Sequence, residues 1–269
     1  MMTDLDRVKE SATAFTADFR AALAFLTVIP AKALGEAAGT RPNFRRGVRT
    51  FPLAGAVVGL AGGLTLILAA GLGLSALIAA ILAVLATVLL TGALHEDGLA
   101  DTADGFGGGD TTERKLAIMD DSRVGTYGAV AIVFSLLLRI AALAALVPAG
   151  GVRAAAALVA AEAASRAMTV RFWYWLPAAR AGGMSEETGS PDERAMYAAL
   201  FIGAVIVLIA IIPTSGFWAA FWGSILLVAA ALLFERLSAA QIGGRTGDTL
   251  GACQQCAAAA FLIGVAAVA

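Results

Sequence analysis

Aspartates are concentrated in one short polar stretch of the chain, between His95 and Gly128. Six of them lie there: Asp97, Asp101, Asp104, Asp110, Asp120 and Asp121. Carboxylates at this density beside apolar segments repel one another unless a cation or a basic group neutralises them. Mg²⁺ accepts oxygen ligands and usually keeps waters and substrate phosphates in its shell. The stretch therefore predicts a divalent-metal site that handles phosphates.

The spacing of the first three aspartates predicts a shared helix face. If a helix begins near His95, then Asp97, Asp101 and Asp104 stand at positions i, i+4 and i+7. Three carboxylates on one face destabilise a bare helix, and a bound Mg²⁺ would reverse that repulsion. We take these three and Asp121 as the candidate metal ligands. A solvated acidic loop is the alternative.

His95 is the only histidine of the chain. An imidazole beside carboxylates is a candidate general acid or base, and an interfacial residue without a chemical role is the alternative. The candidate catalytic residues are His95, Asp97 and Asp104.

Two further segments carry candidate substrate-binding residues. An aspartate pair followed by Arg123 could complete a metal shell while the guanidinium contacts phosphate, or it could cap the next helix. The segment from Gly243 to Gly251 runs into a helix start, where free backbone N–H groups suit phosphate. There, Asp248 is either a further ligand or a helix N-cap. The candidates are Asp120, Arg123, Gly243, Gly244, Arg245, Gly247 and Asp248.

The composition predicts an integral membrane protein. Of 269 residues, 59% are hydrophobic and only 14% are charged, whereas soluble domains carry about 25% charge. A net charge of -1 lacks the basic footprint that nucleic acid requires, so no nucleic-acid partner is expected. Two cysteines, Cys253 and Cys256, are too few for a disulfide framework.

Runs of about 20 apolar residues predict an all-α, polytopic integral membrane helical bundle, formed by residues 1–269 as a single domain. Gly55, Gly59 and Gly63 form a small-residue ridge for helix packing in the first span. The seven candidate spans are Phe51–Ala70, Leu74–Leu94, Tyr127–Val147, Ala154–Val170, Met196–Ile212, Phe217–Phe234 and Ala252–Val268.

The basic residues predict the orientation of the bundle. Sixteen Lys and Arg residues lie before the first span or in connectors on the same side, and only Arg153 lies on the other. This bias predicts a cytoplasmic N-terminus. The acidic connector, residues 95–126, and the glycine segment then share the cytoplasmic face and can build one site.

Residues 1–50 are predicted to be cytoplasmic or interfacial, with an N-terminal amphipathic helix. Its apolar residues recur at spacings of three and four: Leu5, Val8, Ala12, Phe15, Phe19, Leu23 and Leu26. A membrane-surface anchor is the simpler interpretation, and a lid over the site is the alternative.

Charged and aromatic residues in the fourth span allow two interpretations. Glu162 and Arg166 are costly in lipid and must face the bundle, as must Arg139 of the third span. A structural ion pair and a substrate contact both explain Glu162 and Arg166. The aromatic run from Phe172 to Trp175 is typical of a membrane-surface belt.

Several motifs together resemble one known family. The stretch HEDGLADTADG at 95–105, followed by RKLAIMDDSRVGTYG at 114–128, resembles adenosylcobinamide-GDP ribazoletransferases, also called cobalamin synthases. Similar pieces lie at Phe25–Pro30, Phe51–Gly55 and Gly243–Gly251. A weaker match around Arg180 departs from the family pattern.

The resemblance implies a bacterial inner-membrane enzyme that uses Mg²⁺. A hydroxyl of α-ribazole, or of its phosphate, would attack the cobinamide-linked phosphate of adenosylcobinamide-GDP, with GMP leaving. Such transfer requires charge neutralisation more than covalent chemistry. The acidic residues would hold metal and pyrophosphate, while Arg123 and Arg245 would grip phosphate oxygens. The lipid bilayer is a further expected partner, and a homo-oligomer is possible.

Three other classes fit less well. A CDP-alcohol phosphotransferase would place Ala-Arg where Ala100 and Asp101 stand, and a prenyl-diphosphate transferase would carry a second spaced aspartate pair. A cation transporter would distribute acids along its spans, whereas here they cluster in one connector.

Overall fold

The computed structural model describes residues 4–35, 43–180 and 189–268, with side chains from Glu10 onward. Within these ranges ten α-helices form and no strand does, which confirms the all-α class. The helices, α1 to α10 in chain order, are Asp4–Leu26, Phe51–Gly71, Ala76–Thr91, Leu94–Gly108, Thr112–Met119, Thr126–Leu146, Gly151–Trp175, Glu193–Ser215, Phe217–Ile242 and Gly247–Ala266.

Five helical segments of the described chain are long and apolar enough to cross a membrane. They contain α2, α6, α8, α9 and α10. A sixth span exists if α3 and α4 count as one broken span. The remaining predicted span corresponds to α7, which contains Arg153, Glu162, Arg166 and Arg171. The predicted count of seven is therefore approximate.

A sharp bend separates α3 from the acidic helix α4. Gly92 and Ala93 both adopt positive φ angles, +61° and +58°, and the chain turns by 88° between the two helices. Glycine tolerates this conformation, whereas alanine is strained in it. The bend ends the apolar run early and directs α4 across the bundle, where it packs against α6 and α10.

Helix α7 lies at the centre of the bundle, packed against α2, α8 and α10. The predicted glycine ridge of α2 is confirmed, because it lies directly on this helix. A Cβ at Gly55 would stand 2.2 Å from the carbonyl oxygen of Glu162, and one at Gly59 would stand 2.5 Å from Cα of Val159. These glycines therefore set the separation of the two helices.

A buried polar network centred on Arg139 joins helices across the bundle. Nη1 of Arg139 donates to Oε1 of Glu96 at 3.0 Å and to Oε1 of Gln255 at 2.9 Å. Nη2 donates to Oε1 of Glu162 at 3.0 Å and to Oγ1 of Thr87 at 3.1 Å. The four partners belong to α4, α10, α7 and α3, so one guanidinium on α6 connects five helices.

The network continues through Glu162 on α7. Its Oε2 accepts hydrogen bonds from Arg166 and, at 3.3 Å, from Nε2 of Gln254. The same Gln254 amide donates to Oγ of Ser165 at 3.0 Å. Two arginines and two glutamates thus balance in charge where water is excluded, which is the condition for keeping ions among apolar helices.

The C-terminal half of α1 packs onto the bundle. Asp18 is buried and accepts from Nε of Arg46 at 3.0 Å and from Nη2 of Arg49 at 2.9 Å. Leu23 and Leu26 are buried on the same side. This helix is therefore joined to the segment that leads into α2, and it forms part of the wall described below.

Removing the central guanidinium should destabilise the whole bundle. In Arg139→Met, the carboxylates of Glu96 and Glu162 lose their shared cation while remaining buried, so the free energy of unfolding should fall by about 3–5 kcal/mol. Unfolding by SDS in detergent micelles, followed by circular dichroism, measures this loss. Arg114→Met on the exposed side of α5 is the matched control, and equal stability of both variants would contradict the structural role.

Candidate active site

The start of α10 lies directly against α4. A Cβ at Gly98 would stand 2.8 Å from the backbone oxygen of Asp248, and one at Gly251 would stand 3.3 Å from Cα of His95. A capping box formed by Thr246 and Thr249 fixes the first turn of α10. The acidic connector and the glycine segment, which are far apart in sequence, are thereby in contact.

Four carboxylates act on Asp101. They belong to Asp97, Asp248, Asp104 and Asp120, and all four repel its charge. The side chain of Asp101 is partly buried, while that of Asp97 is exposed. In the described chain neither forms a hydrogen bond or an ion pair. The structure therefore collects negative charge from α4, α10 and the end of α5 without neutralising it at Asp101.

The observed geometry does not itself form a closed metal cage. Across the described ranges, no three Asp, Glu, His or Cys side chains converge closely enough to hold an ion. Mg²⁺, however, is commonly bound through one or two carboxylates, with waters and substrate phosphates completing the octahedron. Uncompensated carboxylates at Asp97 and Asp101 fit that mode of binding.

Asp104, a candidate ligand and catalytic residue, already has backbone partners. Its Oδ2 accepts from the N–H of Gly125 at 2.7 Å and its Oδ1 accepts from the N–H of Gly128 at 2.9 Å. Both donors lie at the N-terminus of α6, where a carboxylate is favoured by the helix dipole. A Cβ at Gly128 would stand 2.3 Å from Oδ2. The contacts observed here are those of a helix cap.

The two aspartates after α5 form ion pairs with different arginines. Asp121 pairs with Arg123, and hydrogen bonds from this arginine lower the pKa of the Asp121 carboxyl to about 2. Asp120 instead pairs with Arg180, which also donates to the carbonyl of Leu116 at 3.2 Å. The residue whose role the sequence left in doubt, Arg180, thus stands beside the acidic cluster, whereas the Arg123 side chain is 87% exposed.

The glycine segment before α10 is not an open phosphate loop. Gly243 donates its N–H to Ala239, and Arg245 forms a backbone bridge with Ala178. A Cβ at Gly244 would stand 2.5 Å from the carbonyl oxygen of Pro177, so this glycine is needed for the contact. Gly247 remains exposed at the first position of the helix.

The guanidinium of Arg245 is directed into the protein. Its Nε donates to the carbonyl oxygens of Trp173 and Leu176, both at 3.0 Å, and its Nη2 donates to Gly189 at 3.2 Å. Burial lowers the pKa of Arg245 to about 10. In the structure this residue therefore holds the segment after α7 in place, in contrast to the expected phosphate contact.

A cavity of about 500 Å³ opens beside the acidic cluster, between α1, α2, α4, α7 and α10. Four candidate site residues line it: His95, Asp97, Gly247 and Asp248. His95 is buried close to Arg166 and Arg139. The volume lies within the range of small-molecule sites, which are mostly apolar with a few convergent polar groups.

The cavity is also lined by Arg166, for which the sequence left a substrate contact and a structural ion pair open, and by Trp173. Arg166 lines it while paired to Glu162, with its Nε and Nη2 otherwise without a partner. Trp173 lines it as well and is 4% exposed, so its assignment to a membrane-surface belt is wrong. Trp175, two residues later, is 57% exposed. Charged residues within an apolar helix were the available signal for Arg166.

A multi-pass helical membrane protein with a small-molecule cleft is the class that this fold and cavity define. Residues 18–266 match the family described as cobalamin-5-phosphate synthase. The chain belongs to that family, which confirms the resemblance inferred from the motifs.

Individual relatives agree with this assignment. A protein of Azorhizobium caulinodans named adenosylcobinamide-GDP ribazoletransferase is 51% identical over 250 residues, which are 93% of this chain and 95% of that protein. Proteins with the same name from Allorhizobium ampelinum and Brucella melitensis are 44% and 43% identical, covering 90% and 84% of this chain, and 93% and 87% of their own lengths. No solved structure matches the chain.

Loss of the cap at Asp104 should loosen the junction of α4 and α6. In Asp104→Ala, the N–H groups of Gly125 and Gly128 lose their acceptor, and Gly128 is buried, which costs about 1–3 kcal/mol. Hydrogen exchange of the peptide covering residues 122–130 should therefore accelerate. Asp110→Ala, an exposed residue before α5, should leave that peptide unchanged. Unaltered protection in Asp104→Ala would refute the capping role.

Proposed function

We propose that this protein joins α-ribazole, or α-ribazole phosphate, to adenosylcobinamide-GDP. A ribazole hydroxyl forms a bond to the cobinamide-linked phosphorus, the bond from that phosphorus to the bridging oxygen breaks, and GMP leaves. The product is adenosylcobalamin or its phosphate. Membership of the family and the names of the relatives support this activity.

The observation that carries the proposal is the meeting of α4 and α10 at a cavity. Asp97 and Asp248 line that cavity, and the uncompensated Asp101 lies one helical turn beyond Asp97. We assign Mg²⁺ to Asp97 and Asp101, with Asp248 and Asp120 nearby. When bound, the ion neutralises phosphate charge, which is the main requirement of phosphoryl transfer.

Side chains of the protein accept the proton, contact the phosphates and position the acidic helix. The proton of the attacking hydroxyl passes to Asp97 or to His95, which both lie in the cavity wall. Arg180 is paired with Asp120 of the acidic cluster, and its guanidinium can contact phosphate oxygens of the donor. Asp104 positions α4 through its backbone contacts.

We place this site at the cytoplasmic face of the bacterial inner membrane, with the N-terminus on the same side. The distribution of Lys and Arg favours that side for the polar connectors. A nucleotide-linked donor is expected in the cytoplasm, which agrees with this orientation.

Metal removal and one matched pair of variants test the chemistry. EDTA should abolish GMP release by the purified protein, and Mg²⁺ should restore it. Asp101→Asn should lower kcat by about 100-fold or more, since a charge that stabilises the transition state is lost. It should also weaken Mn²⁺ binding measured by electron paramagnetic resonance. Asp110→Asn, outside the cluster, should match the parent. Full activity in the presence of EDTA would contradict the assignment of a metal ion to this site.

Cysteine labelling tests the orientation. In a Cys253→Ala, Cys256→Ala background, single cysteines at Asp110 and Ser190 should react with an impermeant maleimide only in inside-out vesicles. A cysteine at Leu72, 82% exposed in the α2–α3 connection, should react only in right-side-out vesicles. Labelling of Asp110 and Ser190 positions from opposite sides would contradict a single cytoplasmic site.

A further inference from the structure

Four aromatic rings form a continuous wall on one side of the cavity. Phe25, Phe44, Phe51 and Trp173 all line it. Ring centroids are 5.1 Å apart for Phe25 and Phe44, and 5.3 Å for Phe44 and Trp173. The pairs Phe51–Trp173 and Phe25–Phe51 are 6.4 Å and 6.2 Å apart. Each ring thus contacts two others, and the four contacts close a circuit.

The four rings come from separate parts of the chain, and polar contacts fix their positions. Nε1 of Trp173 donates to the carbonyl of Gly189 at 2.8 Å, and Arg245 lies over the face of the same ring. Asp18 forms salt bridges with Arg46 and Arg49, which lie between Phe44 and Phe51, and so fixes that segment. Phe25 differs from the other three, because it is 40% exposed.

The rest of the lining separates into an apolar part and a polar part. Leu26, Leu94 and Leu250 add apolar surface. The polar and charged groups of the lining are His95, Asp97, Arg166, Thr169 and Asp248. A ligand suited to this lining combines a flat apolar ring system with polar groups such as hydroxyls. Aromatic walls of this kind bind ring systems by stacking and edge contacts.

We infer that this cavity is the acceptor site and that its four aromatic rings hold the benzimidazole base of α-ribazole. The inference rests on the proposed function and adds which substrate occupies the cavity. This benzimidazole base has a hydrocarbon edge and little hydrogen-bonding capacity, which matches the apolar wall. The ribose hydroxyls then reach Asp97 and Asp248, beside the acidic cluster that would hold the donor pyrophosphate.

The other two ring systems of the substrates fit this cavity less well. Guanine carries several donors and acceptors on its edge, and burying them against Phe25, Phe44 and Phe51 without partners costs free energy. The corrin macrocycle with its amide side chains and adenosyl group is far larger than a cavity of about 500 Å³. The base of the acceptor is the remaining apolar ring system.

Equilibrium binding tests the inference without catalysis. α-Ribazole added to the detergent-solubilised full chain, with EDTA and no donor, should quench tryptophan fluorescence, because Trp173 lines the cavity. GMP should not compete for this signal. Phe25→Ala should weaken α-ribazole binding about tenfold, within the range that stacking contributes. Phe201→Ala, an equally aromatic residue on α8 that is 70% exposed, is the matched control and should bind like the parent.

Kinetics then separate the acceptor from the donor. Phe25→Ala should raise KM for α-ribazole about tenfold and leave KM for adenosylcobinamide-GDP unchanged. Competition by GMP, a raised donor KM, or identical binding by Phe25→Ala and Phe201→Ala would overturn the inference. If the parent binds α-ribazole but releases no GMP with donor and Mg²⁺, the proposed function fails while the assignment of the cavity stands.

Discussion

The buried ionic network around Arg139 is the constraint on which the rest of the structure depends. Among apolar helices water cannot solvate charges, so two arginines and two glutamates must satisfy one another. They do so only when α3, α4, α6, α7 and α10 approach from the correct directions. Since Glu96 lies in the first turn of the acidic helix and Arg166 lines the cavity, the same network that fixes the bundle also positions the site.

The site owes its location to close backbone approach as much as to charge. Gly98 allows α4 to touch the first turn of α10, and this contact brings Asp97 beside Asp248. The bend at Gly92 and Ala93 turns α4 across the bundle instead of continuing α3. The result is a junction with an acidic side, where carboxylates repel, and an aromatic side, where four rings meet. Those two surfaces suit a phosphate donor and an apolar acceptor respectively.

Sequence patterns anticipated the elements better than the contacts of single residues. The i, i+4, i+7 aspartates correctly predicted a helix near His95, and the glycine ridge at Gly55 correctly predicted close packing. Local patterns could not tell that Asp104 would meet backbone N–H groups 21 and 24 residues later. Nor could they show the contact of Arg180 with Asp120, which spans 60 residues.

By itself, the sequence determined the apolar helices, the concentration of aspartates and the family, because composition, period and motif are properties of the chain read in order. Only the tertiary structure decided which charged side chains are neutralised by a partner and which are not. Arg245 was expected at phosphate and instead binds protein carbonyls, while Trp173 was expected at the membrane surface and instead lines a cavity. Which partner a side chain finds depends on segments far away in sequence, and that information exists only once the helices have packed.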